Sequence, residues 1–364
     1  VTDSIPLIAV DDAVQDDLGG FAHVEVTERV GGATTYRLRY DLDIEGGDLP
    51  RLADGRFDPG ATLSVLVPTD AGTECLVKGP VTGQRAHLAH GGEGSWLEVE
   101  GADSTVEMDR ETKTRVWADV TDRDAIESVL NEYGYAALDV ESTPALHAED
   151  KHALVQRESD LGLVRRLARR NGFHFWVSCS DGGDETAHCR RPALDASPAA
   201  AVVINLEGPN TAALDLRWDA ERPTSVVGSQ LDLNGLNDLD GSVPASPLAA
   251  LGDQSLADVA GGTRSVHLAA PADDAGDLQA RGEAALIEAG WFVEAQCETS
   301  LNALRAIVRA HSVVEVRGAG SRHSGPYFVA GVRHRADRTA HTMHLTLWRN
   351  AWSGGGGLSI PSLV

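Results

Sequence analysis

The chain has 364 residues, of which 42% are hydrophobic, enough for two or three domains with cores of their own. Its 31 basic residues face 55 acidic ones, a net charge of -24. That balance excludes generic nucleic-acid binding, because phosphate neutralisation needs a basic surface, and leaves room only for a local basic patch. No apolar run reaches the ~18 residues of a membrane-spanning helix, so no membrane insertion is expected. The opening VTDSIPLIAVDD has neither a basic n-region nor an apolar core, so no secretory signal is expected.

Residues 1–112 read as a first β domain. FAHVEVTERV and TTYRLRYDLDI alternate polar and apolar positions, and EGGDLP and FDPG supply turns. ATLSVLVPT, ECLVKGPVTGQRAHLAH and SWLEVEGAD continue the pattern, and this spacing predicts a barrel or sandwich.

Residues 113–199 change character and predict an α/β insert. Thr121 and Asp124 form a helix start, Ile126, Val129, Leu130 and Tyr133 an apolar stripe, and Gly134 a stop. A second helix repeats the plan. Ser159 caps it, Asp160 suits its positive end, Leu163, Val164, Leu167 and Ala168 form the stripe, and Gly172 ends it. FHFWV and AHCRR then make a hairpin across SDGGDET. Arg165, Arg166, Arg169 and Arg170 sit off the stripe in the last two turns. They face solvent, with a favourable dipole interaction, or else an acidic protein partner or nucleic acid.

Residues 200–352 return to β structure with one helix, through about residue 289. Residues 228–276, rich in Gly, Asp, Asn, Ser, Pro and Ala, read as a long loop with little structure of its own. Residues 353–364 read as a flexible Gly-rich tail with a small apolar end. The fold class expected is mixed α+β and β-dominated.

The motifs of catalysis are not found: no G-x-S-x-G elbow, Walker loop, H-E-x-x-H or dinucleotide fingerprint. DLNGLNDLDG at 232–241 is acidic but lacks the spacing of an EF-hand. Cys75, Cys179, Cys189 and Cys297 are too sparse for a disulfide framework, which points to synthesis in a reducing cytoplasm. Cys179, His188 and Cys189 are a weak metal set, since adjacent strand positions face opposite ways. A Cys179–Cys189 bridge formed on oxidation is an alternative, and inert thiols are the plain reading. His334, His341 and His344 lie near no marked nucleophile and read as structural or surface residues. No cofactor, metal or catalytic residue is expected.

The order of these elements carries a family resemblance. QRESDLGLVRRLARRNGFHFWV resembles the most recognisable segment of contractile-injection hub proteins. These are the phage late control gene D proteins, myophage baseplate hubs and the N-terminal part of type VI secretion VgrG proteins. The matching positions are Gln156, Glu158, Ser159, Asp160, Arg166, Leu167 and Gly172, preceded by a helix ending in EYGY. The ending is similar too, at Gly325, Tyr327, Val329, Val332, His334, Thr342, Leu345, Leu347 and Arg349. The pattern covers about residues 1–352, with a compressed stretch at AHSVVEVRG.

The resemblance implies two tail-tube-like β-barrel domains with the α/β insert between them. It implies a non-enzymatic hub, a trimer that adapts a three-fold spike to a six-fold inner tube. The partners implied are further copies of the chain, a separate spike protein, the inner tube protein and baseplate components, with a cargo effector as a further candidate. The protein would be made in the cytoplasm and act in a phage tail-like particle. On this reading Arg165, Arg166, Arg169 and Arg170 are candidate partner contacts. Leu358, Ile360 and Leu363 of the tail dock the spike or stay disordered. The rival readings are a tail-associated cell-wall hydrolase, which needs two placed carboxylates, and a monomeric ligand- or effector-binding β module.

Overall fold

A computed structural model describes residues 5–149, 153–232, 237–268 and 275–354. The strands that build the body are β1 (His23–Arg29), β2 (Thr35–Asp41), β3 (Thr62–Thr69), β4 (Gly72–His87) and β5 (Trp96–Ala102). The insert contributes β6 (Thr112–Trp117), helix α1 (Asp122–Leu130), β7 (Leu154–Ser159), helix α2 (Asp160–Arg170), β8 (His174–Cys179) and β9 (Glu185–Arg190). The second half holds β10 (Leu214–Trp218), β11 (Ser225–Asp232), β12 (Asn237–Val243), β13 (Ser265–Leu268), helix α3 (Ala275–Gly290), β14 (Val293–Ser300), β15 (Val313–Arg317), β16 (Gly325–Ala336) and β17 (His341–Arg349). Among the described residues no helix is long and apolar enough to cross a membrane.

The two halves do not close into separate barrels among the described residues. They share one 13-stranded sheet in which β10, β14, β17, β16, β1, β2, β5 and β4 follow one another, all antiparallel. The joint is β16 against β1, in register from Gly331↔Arg29 to Ala336↔Val24. Alternation explains the layering. Val24, Val26, Tyr36, Leu38, Leu97, Val99, Met343, Leu345 and Leu347 point to one face and are buried. They belong to a single core cluster that draws from both halves.

The insert has its own core. Ile126, Val129 and Leu130 of α1 meet Leu163, Val164 and Leu167 of α2 beside Phe175 and Cys189. Both helices begin as their sequences dictate. Thr121 and Asp124 form a reciprocal capping box, and Ser159 accepts a hydrogen bond from the Gly162 amide. Gly172, at φ +70°, reverses the chain after α2, and a Cβ there would lie 2.6 Å from Ile287 of α3. Only glycine meets both demands, the left-handed turn and the close helix approach.

Residues 228–276 are not the structureless loop that composition suggests. β11 pairs antiparallel with β12 and parallel with β13, and α3 covers this small sheet through Leu286 against Val226 and Val243. The turn-forming residues of the segment sit between short strands, and periodicity over so few positions is too weak to show them.

Candidate functional site

The exposed face of the shared sheet carries charge in an ordered way. Across the strands, Arg335 lies opposite Glu25, Glu25 opposite Arg37, and Arg37 opposite Glu100. In the next row Arg39 faces Glu98 and Glu98 faces Arg85. Further along, Arg217 faces Glu294, and His344 stands between Glu298 and Arg333. Opposite charges on directly opposed strand positions attract, whereas like charges would weaken the sheet. Arg37 makes the tightest contacts, 2.9 Å to Glu100 and 3.5 Å to Glu98. Arg39 and Arg85 lie 4.4 and 5.5 Å from the Trp96 ring centre. The face is therefore balanced in sign although the chain as a whole is strongly acidic.

Among the described residues this series of strands has a free edge at each end. There β10 pairs only with β14, and its Leu216 and Trp218 are exposed. Residues 81–87 of β4 pair with β5 on one side, and Leu88 beyond them is exposed. Unpaired strand edges with apolar side chains beside them are templates for another chain.

The segment that carries the family resemblance is a locking device. Gln156 donates to buried Asp160 at 2.7 Å, and Tyr133, from the EYGY element, donates to the same carboxylate at 2.7 Å. Lys113 pairs with Asp160 as well. Burial opposes the charge on Asp160, yet these partners hold its carboxyl below the usual value. In the C-terminal stretch that shares the resemblance, Arg349 is buried and donates to the Leu251 and Ser324 carbonyls.

The four arginines of α2 have different fates. Arg166 reaches back to Glu158 at 2.7 Å and to the Val155 carbonyl. Arg170 is no surface contact. It turns inward to Asp277 at 2.8 Å and Asp122 at 3.5 Å, both buried, and so ties the insert to α3. Arg169 meets Glu288 at 3.2 Å in the open. Arg165 forms no ion pair among the described residues and lines a cavity between α2 and α3. The tail residues Leu358, Ile360 and Leu363 lie outside the described residues, as does part of the 232–241 segment considered for calcium.

A buried carboxylate and a half-buried guanidinium that sequence reasoning missed meet between the halves. Glu28 accepts from Arg309 Nε at 2.6 Å and from the Ala310 amide at 3.0 Å. Arg309 also donates to the Cys75 and Leu76 carbonyls at 2.6 and 2.9 Å. No local signal marks Arg309, which sits in an ordinary loop stretch, AIVRAHS.

The cysteines require a correction. Cys75 of β4 is bonded to Cys179 of β8, with the Cα atoms 5.6 Å apart. Cys179 is not bridged to Cys189, which is opposite Phe175 in the hairpin. Cys189 and Cys297 are free and buried, and burial pushes the Cys297 thiol up to about 12. Among the described residues no group of three or more His, Cys, Asp or Glu side chains is placed to hold a metal.

Histidines fill the junction of insert and body. Trp176 is sandwiched between His311, at 3.9 Å between ring centres, and His188, at 4.6 Å. His174 stands edge-on to His311 at 5.4 Å. His334 and His341 share a buried hydrogen bond of 3.1 Å, while His344 points to the opposite face. Burial lowers His174 to about 4 and His341 to about 3, and keeps His311 well below 6.5. The unfolded chain takes up these protons near pH 6.5, so the stability they carry is intact above that pH and lost as pH falls. Unfolding free energy is expected to drop by on the order of 1 kcal/mol per pH unit per buried histidine just below pH 6.5, down to about pH 5.5, above the main carboxylate range. Urea titrations across that range test this. His174→Asn should flatten the slope, and a flat wild-type profile would refute the neutral-histidine account.

The β-dominated fold, with both halves in one shared sheet, is similar to that of solved tail proteins. The chain belongs to the Alg8 N-terminal domain family, which matches residues 9–337. It is similar to the tail protein of Neisseria meningitidis MC58, at 14% identity and a TM-score of 0.65 over 96% of this chain and 97% of that one. It is similar to the 43 kDa tail protein of prophage MuSo2 from Shewanella oneidensis, at 14% identity and 0.62 over 95% and 98%. The c3393 protein of E. coli is described as a component of the type VI secretion system that exhibits structural similarity to the T4 bacteriophage tail proteins gp27 and gp5. It matches at 13% identity and 0.57 over 94% and 74%. No curated protein matches the sequence.

Proposed function

We propose that the chain is a non-enzymatic structural component of a phage tail-like injection particle, and within it the trimeric hub that joins a central spike to the six-fold inner tube. One observation carries the reading. One sheet runs through both halves, and among the described residues β10 at one end and residues 81–87 of β4 at the other are paired on one side only, with a charge-balanced outer face between them. Joining the β10 edge of one copy to the β4 edge of the next is a head-to-tail contact, which closes into a ring when the rotation permits. Leu216, Trp218 and Leu88 are then covered. In such a ring the balanced face lines the channel. Rows of opposed Arg and Glu satisfy one another there and give passing cargo no net charge to bind. The two halves of each copy supply two similar wall segments, so three copies present six to the tube.

The spike, the inner tube and baseplate components are the partners of this reading, with a cargo effector in the channel. Leu358, Ile360 and Leu363 are the candidate spike contacts in the tail. The protein is made in the cytoplasm and assembled into the particle. The experiment is mass photometry of the purified chain, alone and with the spike-like protein encoded beside it. A trimer, formed alone or induced by the spike, is the expected result. A monomer that persists and binds no spike would overturn the reading.

A further inference from the structure

We propose that the cavity where α2, α3 and the β1–β2 turn meet is a binding site for a carboxylate carried on an apolar body. The cavity has a volume of about 510 Å³, within the size range of small-ligand sites. Its walls are aromatic, with Trp291, Trp348 and Phe173. Three cations reach it, Arg165, Arg169 and Arg222, against two carboxylates, Glu288 and Glu294.

The hydrogen bonds show which of these groups are spoken for. Glu288 accepts from Arg169 at 3.2 Å, and Glu294 accepts from Gln296 at 2.9 Å. Arg222 donates to the Trp291 carbonyl at 2.7 Å. Arg165 is left over. Its Nε is buried and has no partner among the described residues. The Asp103 carboxylate feels the field of Arg165 but makes no ion pair with it. Its oxygens are taken by the Thr34 amide at 2.6 Å, the Thr105 amide at 3.1 Å and the Thr105 hydroxyl at 2.5 Å. His174 Nδ1, on the same wall, is also buried without a partner.

The Arg165 guanidinium lines the cavity without an ion pair among the described residues, and one planar anion in the cavity would supply it. The glutamates already present exclude a multiply charged anion such as a phosphate ester, because they would repel its further charge. The aromatic walls select for an apolar body on the carboxylate. This site does not depend on the ring of the preceding section. A free organic acid and an acidic side chain flanked by apolar ones share its chemistry.

The test is calorimetric titration of the full chain with 4-phenylbutyrate and with its uncharged amide, 4-phenylbutanamide. The acid is expected to bind saturably and about tenfold or more tighter than the amide, the worth of one charge-assisted hydrogen bond. Arg165→Gln should erase that preference. Glu288→Gln alters an exposed side chain, leaves the fold intact and frees Arg169, so it should tighten the acid severalfold. The capped dipeptide acetyl-Phe-Glu-amide, titrated alongside, separates the sources. Tighter binding than the free acid assigns the site to a polypeptide partner, and weaker binding assigns it to a small acid. Equal binding of acid and amide, or no saturable binding in both the wild type and Glu288→Gln, would overturn the proposal.

Discussion

Arg309→Ala is expected to lower the unfolding free energy by about 3–5 kcal/mol, the usual cost of stranding one member of a buried ion pair. Glu28 is 5% exposed and lies on the core side of β1. Burial works against its charge, yet Arg309 and His334 hold its carboxyl below the ordinary value. Removing the guanidinium leaves that carboxylate with the Ala310 amide and a distant His334 as its remaining partners. The Cys75 and Leu76 carbonyls lose their donors at the same stroke. The damage spans the molecule, because Arg309 belongs to the second half while Glu28, Cys75 and Leu76 belong to the first. Glu28→Gln should cost less, about 1–3 kcal/mol, since the neutral amide still accepts from Ala310 and no charge is stranded there. Combining it with Arg309→Met removes both charges and is expected to be milder than the sum of the single effects. Urea unfolding at pH 7 measures all three. A loss of less than about 1 kcal/mol for Arg309→Ala would mean that the pair behaves as a solvated one.

Sequence reasoning reached what is local. Thr121, Ser159, Gly134 and Gly172 act within a few residues of themselves, so their pattern is readable in a line of text. The alternation of TTYRLRYDLDI likewise shows that Arg37 and Arg39 share a face. It cannot show that Glu25 and Glu100 stand on either side of Arg37, because register is set by the assembled sheet. The same limit hid the joint between the halves, where β16 meets β1 across some three hundred positions of sequence. Two barrels and one shared sheet have the same strand order in the text and differ only in this pairing. For the arginine helix, the apolar stripe is legible and the outward placement of Arg166 and Arg169 follows from it, while Arg165 is half-buried at the cavity against α3. Arg170 escaped, because its acceptor Asp277 comes from another part of the chain. Sequence proximity sets Cys179 against Cys189, its neighbour in the hairpin. Cys75 is 104 residues away and carries no mark of its own.

That bridge supports the second large effect. Cys75→Ser, under oxidising conditions, is expected to lower stability by roughly 4–5 kcal/mol if the lost chain constraint dominates. The bond closes a loop of 104 residues, which removes many conformations from the unfolded ensemble. It joins β4 of the body to the end of β8 in the insert, where Ala9, Leu66 and Leu7 pack around the cysteines and Lys78 adds polar contacts. That side chain pairs with Asp12 at 2.7 Å and donates to the Gly183 carbonyl at 2.8 Å. An ion pair with an exposed aspartate contributes little by comparison. Three results are expected together from urea unfolding. Cys75→Ser, Cys179→Ser and the double variant should coincide, since each removes the same bond. Wild type in reductant should fall to their level, and the variants should not respond to reductant at all. A bridge of this kind is unusual for a protein that stays in a reducing cytoplasm. The folded chain labelled without reductant should hide Cys189 and Cys297, and denaturation should reveal those two thiols only. Four thiols on denaturation would mean that the bond is open in the isolated protein. Then the insert would be held to the body by its remaining contacts, among them Lys78 with the Gly183 carbonyl, Arg170 with Asp277, Arg191 with Glu283 and the His311–Trp176–His188 stack.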